Sequence, residues 1–190
     1  MDMAEVLFGL EITKFKYDYQ YVGTGSFTEN PIKYEDFEIQ VSAAHNTHDY
    51  YRKEGYSYTH VHNILNHAKD GTDVIIHLST FYKELFDDIF IFIGKLADKY
   101  STLNFHVTSL IGSNYEEKNS ETIEFNNKMK SRLEIIDFSN MKYKDLLYNN
   151  NPLQIVVDNE IVDILNYASE YPNFYKSGYK KIFKAMVEGL

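Results

Sequence analysis

The stretch that decides the fold is "DVIIHLST" at residues 73–80, together with "NFHVTS" at 104–109. Each stretch has the length and the β-branched content of a short strand. Between them, segment 80–100 places apolar residues at helical spacing, and Thr80 is a candidate N-cap. The sequence therefore predicts a strand, an amphipathic helix and a second strand, which is the repeating unit of a parallel sheet. The apolar stripe of the helix consists of Phe81, Leu85, Ile89, Phe92, Ile93, Leu96 and Tyr100.

The same alternation continues on both sides of this unit. Residues 57–69 have helical spacing before the first strand. After the second strand, residues 120–130 predict a weaker helix, and "RLEIIDF" at 132–138 predicts a third strand. The core is therefore expected to be a parallel β-α-β-α-β unit.

The two ends of the chain add elements of other kinds. Residues 4–22 and "DFEIQVS" at 36–42 alternate apolar and polar residues, which predicts an antiparallel hairpin. Near the C-terminus, "PLQIVV" at 152–157 predicts one more strand, and residues 159–169 and 174–187 predict two short helices. We expect a single α/β domain over residues 1–190, with a mixed sheet, an N-terminal antiparallel hairpin and short C-terminal helices closing the fold.

Each of the two deciding strands separates an apolar face from a face that carries a histidine and a hydroxyl. The helix between the strands must cover the apolar face. Neighbouring strands then place His77, Ser79, His106 and Thr108 together on the other face. Three interpretations follow: a buried, hydrogen-bonded structural cluster, an open polar face for a partner or homodimer, or a catalytic centre.

The catalytic interpretation rests on a resemblance. The paired His-x-Ser and His-x-Thr tripeptides at 77–79 and 106–108 resemble the signature of the 2H phosphoesterases, although only these tripeptides match. The resemblance implies a metal-independent reaction on a small nucleotide. One histidine would act as general base and the other as general acid, while Ser79 and Thr108 would hold the phosphate.

Composition excludes several other classes of function. The chain has 190 residues, no Cys and a net charge of −9, which disfavours binding to DNA or RNA duplexes and suits a basic protein partner. The apolar run "IFIFIG" at 89–94 is too short to span a bilayer, and the start of the chain lacks the pattern of a signal peptide, so we expect a cytoplasmic protein with no membrane association.

The remaining motifs predict no cofactor or metal. His45, His48 and Asp49 lie near His60, His62 and His67, but no two of these histidines have the i, i+4 spacing of a helical metal pair. "GTGS" at 23–26 predicts a turn because it lacks the Lys-Ser/Thr of a phosphate-binding loop. "GSNYEEKNSE" at 112–121 follows the carboxyl end of a predicted parallel strand, where open α/β sheets bind ligands.

The expected function is that of a non-catalytic binding protein. Its acidic, tyrosine-rich composition suits a protein partner, and a small ligand is the alternative occupant. The frequent Lys, Asn, Ile, Tyr and Phe have A/T-rich codons, which suggests an A/T-rich genome. An accessory, anti-defence protein of a phage or mobile element would match this composition and the lack of a firm catalytic motif. An immunity protein against a toxin also fits the charge. The alternative function is the nucleotide phosphoesterase.

Overall fold

The structure is a computed structural model that describes residues 3–9, 26–28, 30–43, 59–78, 86–170 and 173–190. Its α-helices are α1 (Met3–Phe8), α2 (Thr59–His67), α3 (Phe86–Lys99), α4 (Glu116–Ile136) and α5 (Lys176–Val187), and a 3-10 helix spans Ile164–Tyr167. Its strands are β1 (Ser26–Phe27), β2 (Ile32–Tyr34), β3 (Phe37–Ile39), β4 (Ser42–Ala43), β5 (Asp73–Ile76), β6 (Asn104–Thr108), β7 (Met141–Lys144), β8 (Leu147–Tyr148), β9 (Asn151–Val157) and β10 (Glu160–Asp163).

The α/β class and the parallel core are confirmed. Strands β5, β6 and β7 form a parallel sheet in that order, with α3 and α4 as the crossover helices. The third strand was predicted in the wrong place, however, because residues 132–136 belong to α4 and the strand is Met141–Lys144. The run Leu133-Glu134-Ile135-Ile136 resembles a strand because it is rich in β-branched apolar residues. In the structure, however, both of its isoleucines are exposed on the surface of α4.

An antiparallel hairpin is present near the N-terminus, but its position differs from the prediction. Strand β2 pairs with β3 through a tight turn at Glu35-Asp36, and Glu35 has a φ of 51°. The predicted extended segment 4–22 is helical over Met3–Phe8, where Ala4 and Leu7 are buried one turn apart, and residues 10–22 lie outside the described residues. Within the described chain, the hairpin, the β1–β4 pair, the parallel strands and β8–β10 form separate sheets.

The C-terminal part contains the predicted strand and one of the two predicted α-helices. Strand β9 pairs with β8 and β10, and α5 follows. The helix predicted at 159–169 is wrong over its first half. Asp158 and Asn159 have φ values of 53° and 60°, so they form a two-residue hairpin turn from which β10 emerges.

Two hydrophobic clusters lie on either side of the parallel sheet. Val74 and Phe105 pack with the helices α2, α3 and α4, while Ile75 packs with the cluster around β9, α5 and α1. Consecutive residues of β5 therefore contribute to different interiors, as the alternation of a strand requires. No helix in the described ranges is both long and apolar enough to cross a membrane.

Candidate functional site

The strand register places the two predicted histidines on one face of the parallel sheet. Ile75 pairs with His106, and Val74 pairs with Phe105, so the alternation assigned from sequence is confirmed for the described residues. His77 follows β5 and contacts Thr108, which lies two residues beyond His106. The predicted cluster of His77, His106 and Thr108 is therefore assembled on one face, and Ser79 lies outside the described residues.

His77 is engaged at the carboxyl end of the strands. Its Nδ1 lies 2.7 Å from Oγ1 of Thr108, and that hydroxyl also lies 3.5 Å from the carbonyl oxygen of Ile76. Burial lowers the pKa of His77 from 6.5 to about 4, although the residue retains some solvent-accessible surface. The imidazole is therefore neutral near pH 7, a state that suits a hydrogen-bond partner or a base and not an acid.

His106 is engaged at the amino end of the same strands. Its Nε2 lies 2.8 Å from Oδ1 of Asp73, and the two side chains are 17% and 43% exposed. Lys142 pairs with His106 in the register of β6 and β7, so its side chain lies on the same face. These groups border a shallow cavity of about 280 Å³, whose lining residues are Asp73, Asn104, Phe105, His106, Ser139, Asn140 and Lys142.

The two histidines thus interact with different partners at different ends of the strands. A shared phosphate would need an accessible general acid and an accessible general base on the two sides of one reacting bond. The structure instead pairs His77 with a buried hydroxyl, since Thr108 is 3% exposed, and pairs His106 with a carboxylate. This arrangement agrees most closely with the hydrogen-bonded structural interpretation, and the catalytic role remains a prediction.

The polar face is covered in part by the C-terminal helix. Nζ of Lys144 donates hydrogen bonds to the carbonyl oxygens of Met186, at 2.9 Å, and Glu188. Burial lowers the pKa of Lys144, and the nearby carboxylate of Glu188 opposes this effect. The lysine thereby satisfies carbonyl groups at the end of α5 that have no partner within the helix.

A second polar network lies where the parallel strands end. The side chain of Asn126 in α4 accepts from the amide of Leu110 at 2.8 Å and donates to its carbonyl at 3.0 Å. Oγ of Ser109 accepts from the amide of Leu146 at 2.8 Å. Both polar residues are buried, so the network replaces the backbone pairing that the chain loses as it leaves the sheet.

The segment 112–121, predicted as a possible ligand site, contacts the rest of the protein at its start, and residues 116–121 belong to α4. The amide of Gly112 donates to the carbonyl oxygen of Pro152 at 2.7 Å. Asn119 accepts from the amide of Ser113 at 3.0 Å and fills the space beside the glycine. The loop therefore connects β6 to α4 as a packed turn.

The sequence analysis did not identify a second cavity, of about 480 Å³, between α4 and the turn after β8. The run "NNN" at 149–151 was its only signal, since Asn149 and Asn150 both have positive φ and form the turn. Burial raises the pKa of Tyr143 in its wall, and Asp145 adds to that effect. The cavity is lined by Asn127, Lys130, Tyr143, Asp145, Asn149 and Asn150.

The predicted metal candidates are distributed over different environments. His45, His48 and Asp49 lie outside the described residues. Nδ1 of His62 lies 2.7 Å from the hydroxyl of Tyr100, and burial, with Lys99 nearby, lowers the pKa of His62. Within the described ranges, no three His, Asp or Glu side chains are grouped as metal ligands.

Three exposed isoleucines that the sequence analysis did not predict lie on the two crossover helices. Ile91 in α3 is 54% exposed, and Ile135 and Ile136 in α4 are 80% and 47% exposed.

Comparison with protein-family models, with curated proteins and with solved structures found no match for this chain.

Proposed function

We propose that this chain is a non-catalytic binding protein whose partner is a basic protein. The observation that carries the proposal is the exposed surface formed by Ile91, Ile135 and Ile136, which we call the isoleucine surface. Exposed aliphatic side chains that adjoin one another on a charged protein commonly mark an interaction site.

Two contacts between the helices support the adjacency of these isoleucines. Both crossover helices run from the carboxyl ends of the strands towards the amino ends, so α3 and α4 are parallel to each other. Asp87 lies 3.3 Å from Arg132, and a Cβ built on Gly94 would lie 3.3 Å from Phe138. In the sequence, Ile91 lies between Asp87 and Gly94. Ile135 and Ile136 lie between Arg132 and Phe138.

The charges beside the isoleucine surface favour a basic partner. Asp87 already faces Arg132, while Asp88, Glu134 and Asp137 are exposed along the same two helices. Together with the net charge of −9, these carboxylates favour association with a positively charged protein. Added salt should lower the rate of that association, because it screens the charges. We further propose, from the composition, that the chain is an accessory protein of a phage or mobile element and that its partner is a host protein.

Affinity capture from a lysate of the host cell tests this proposal. The double variant Ile91→Gln/Ile135→Gln removes the apolar groups while retaining residues compatible with a helix. Leu190→Gln is the control, because Leu190 is 45% exposed and follows α5, outside both crossover helices. The proposal expects a protein that wild type and control retain and the double variant loses. Identical captured proteins for all three forms, with circular dichroism showing that each is folded, would contradict it.

The phosphoesterase remains a second candidate because the sheet does bring His77, Thr108 and His106 onto one face. In that reaction the neutral His77 would be the base, and His106 would have to supply the acid. Incubation with cyclic and linear oligonucleotides in the presence of a chelator tests it directly. Cleavage by wild type that is lost in His106→Ala and retained in Asp98→Ala, at an exposed position of α3, would support the enzyme. A lack of turnover in wild type across these substrates would contradict it.

A further inference from the structure

The edge of the C-terminal sheet offers unpaired backbone groups. In the described chain, β10 has β9 as its single neighbouring strand. Because the turn at Asp158-Asn159 has two residues, Val157 and Glu160 form the hydrogen-bonded pair that closes the hairpin. The alternation of an antiparallel ladder then directs the N–H and C=O groups of Ile161 and the N–H of Asp163 away from β9, while the carbonyl of Asp163, the N-cap, belongs to the first turn of the 3-10 helix.

The side chains along this edge combine apolar and acidic character. Ile161 pairs with Val156 on the outward face of the sheet, and these two side chains are 50% and 38% exposed. Glu160 and Asp163, at the two ends of β10, are also exposed. Asp163 accepts a hydrogen bond from the amide of Leu165 at 3.0 Å, which fixes the point where the strand gives way to the 3-10 helix.

Pairing with a second copy of the same strand is disfavoured by charge. The ladder allows a second β10 to pair only with Ile161 opposite Ile161 or Asp163 of the other copy. Neither register places a basic residue opposite Glu160 or Asp163, and each copy has a net charge of −9, which opposes their association. A strand with basic residues in those positions would instead complement both carboxylates.

We infer that β10 is a site of strand addition, and that its occupant is an extended segment of another protein with two basic residues three positions apart and β-branched residues between them. Such a segment forms up to three backbone hydrogen bonds, with both backbone groups of Ile161 and with the N–H of Asp163. In an antiparallel arrangement, an apolar residue lies beside Ile161, and basic residues lie opposite Glu160 and Asp163. The isoleucine surface has no part in this inference, so the edge of β10 can be tested separately from it.

The test uses the synthetic peptide Thr-Lys-Thr-Val-Lys-Thr, capped at both ends, titrated into isotope-labelled full-length protein and followed by NMR. Aligned antiparallel to β10, its valine lies opposite Ile161, and its lysines lie opposite Asp163 and Glu160. We expect chemical-shift changes and slower amide exchange at Ile161 and Asp163.

Two N-methylated peptides separate backbone pairing from contact with side chains. The amide of the valine points towards β10, whereas the amide of the central threonine points away. Methylation of the valine should weaken binding roughly tenfold, because a backbone hydrogen bond is lost, while methylation of the central threonine should not. Equal binding of the two methylated peptides, or no shift with any peptide at millimolar concentration, would overturn the inference.

Charge variants of the protein provide the matched control. Glu160→Gln/Asp163→Asn should weaken peptide binding and reduce its dependence on salt, since Asn preserves the cap at position 163. Asp70→Asn/Asp98→Asn removes the same charge from exposed positions outside β10 and should leave binding unchanged. A dimer in sedimentation that Ile161→Glu dissociates would assign the edge to a second copy of this chain and overturn the inference.

Discussion

Nδ1 of His77 and Oγ1 of Thr108 lie 2.7 Å apart, across the pair of parallel strands that the sequence first indicates. The imidazole is neutral near pH 7, because burial lowers the pKa of His77 to about 4. Protonation of His77 is therefore opposed by the folded state.

The first prediction concerns acid stability. The pKa of His77 is about 4 in the folded protein, whereas a histidine exposed to water has a pKa of 6.5, so the unfolded chain binds more protons between these values. Stability should consequently fall as pH decreases from about 6.5 to 4, by roughly 3 kcal/mol from this group. Urea unfolding across that range measures the effect. His77→Gln, which can still bond to Thr108, should flatten the pH dependence, and an unchanged slope would contradict the assignment.

The second prediction concerns the hydroxyl of Tyr34, which is buried and has no hydrogen-bond partner within the described residues. Its ring packs edge-on against Phe8 and Phe183. Tyr34→Phe should therefore retain the packing and raise the free energy of unfolding by up to about 1 kcal/mol.

Tyr100→Phe is the matched control, because the hydroxyl of Tyr100 bonds to His62 at 2.7 Å and to Asn66 at 3.0 Å. That substitution should lower stability by about 1 kcal/mol. Chemical denaturation of the two variants compares them. Equal destabilisation would show that the hydroxyl of Tyr34 is satisfied in solution.

The third prediction concerns Asn126, which satisfies both backbone groups of Leu110 inside the protein. Asn126→Ala leaves a buried donor and a buried acceptor unpaired and should cost about 3 kcal/mol. Asn127→Ala, at the adjacent exposed position, should change stability by less than about 0.5 kcal/mol. Similar unfolding midpoints for the two variants would show that water replaces the amide of Asn126.

The fourth prediction concerns the packed turn at Gly112. A Cβ at this position would lie 2.6 Å from Oδ1 of Asn119 and 2.9 Å from the carbonyl oxygen of Pro152. Gly112→Ala should therefore destabilise the protein by about 1–3 kcal/mol, because the carbonyl belongs to the backbone of β9 and cannot move aside freely.

Gly94→Ala serves as its control. The nearest atom there belongs to the ring of Phe138 at 3.3 Å, and alanine favours the helical backbone of α3. The thermal unfolding midpoint of Gly94→Ala should lie close to that of wild type. A thermal midpoint for Gly112→Ala as high as that of Gly94→Ala would refute the steric argument.

The central strands could be predicted because their alternation has one consistent solution. Val74 and Phe105 point to the helices, whereas the next pair in register, Ile75 and His106, points away from them. The same argument located the face that carries His77, His106 and Thr108. It could not foresee their partners, since the contact between His106 and Asp73 depends on side-chain directions within the shared face.

The misplaced elements are those in which two periodicities fit equally well. Val6, Phe8, Leu10 and Ile12 alternate like a strand, yet packing of α1 against the cluster around α5 favours a helix over Met3–Phe8. Ile161, Ile164 and Leu165 have helical spacing, but the two-residue turn before them returns the chain as β10. In both cases a contact remote in sequence decides between local patterns.

The division of Val74 and Ile75 between two interiors restricts how this polypeptide can be dissected. A fragment that ended at Asp145 would retain all three parallel strands but would lose the carbonyl acceptors of Lys144 and most of the buried members of the cluster that contains Ile75. The reverse fragment, beginning at Leu146, would lose α1 and the β2–β3 hairpin from its own interior. The parts of the chain joined at Asp145-Leu146 therefore depend on each other to complete this second interior.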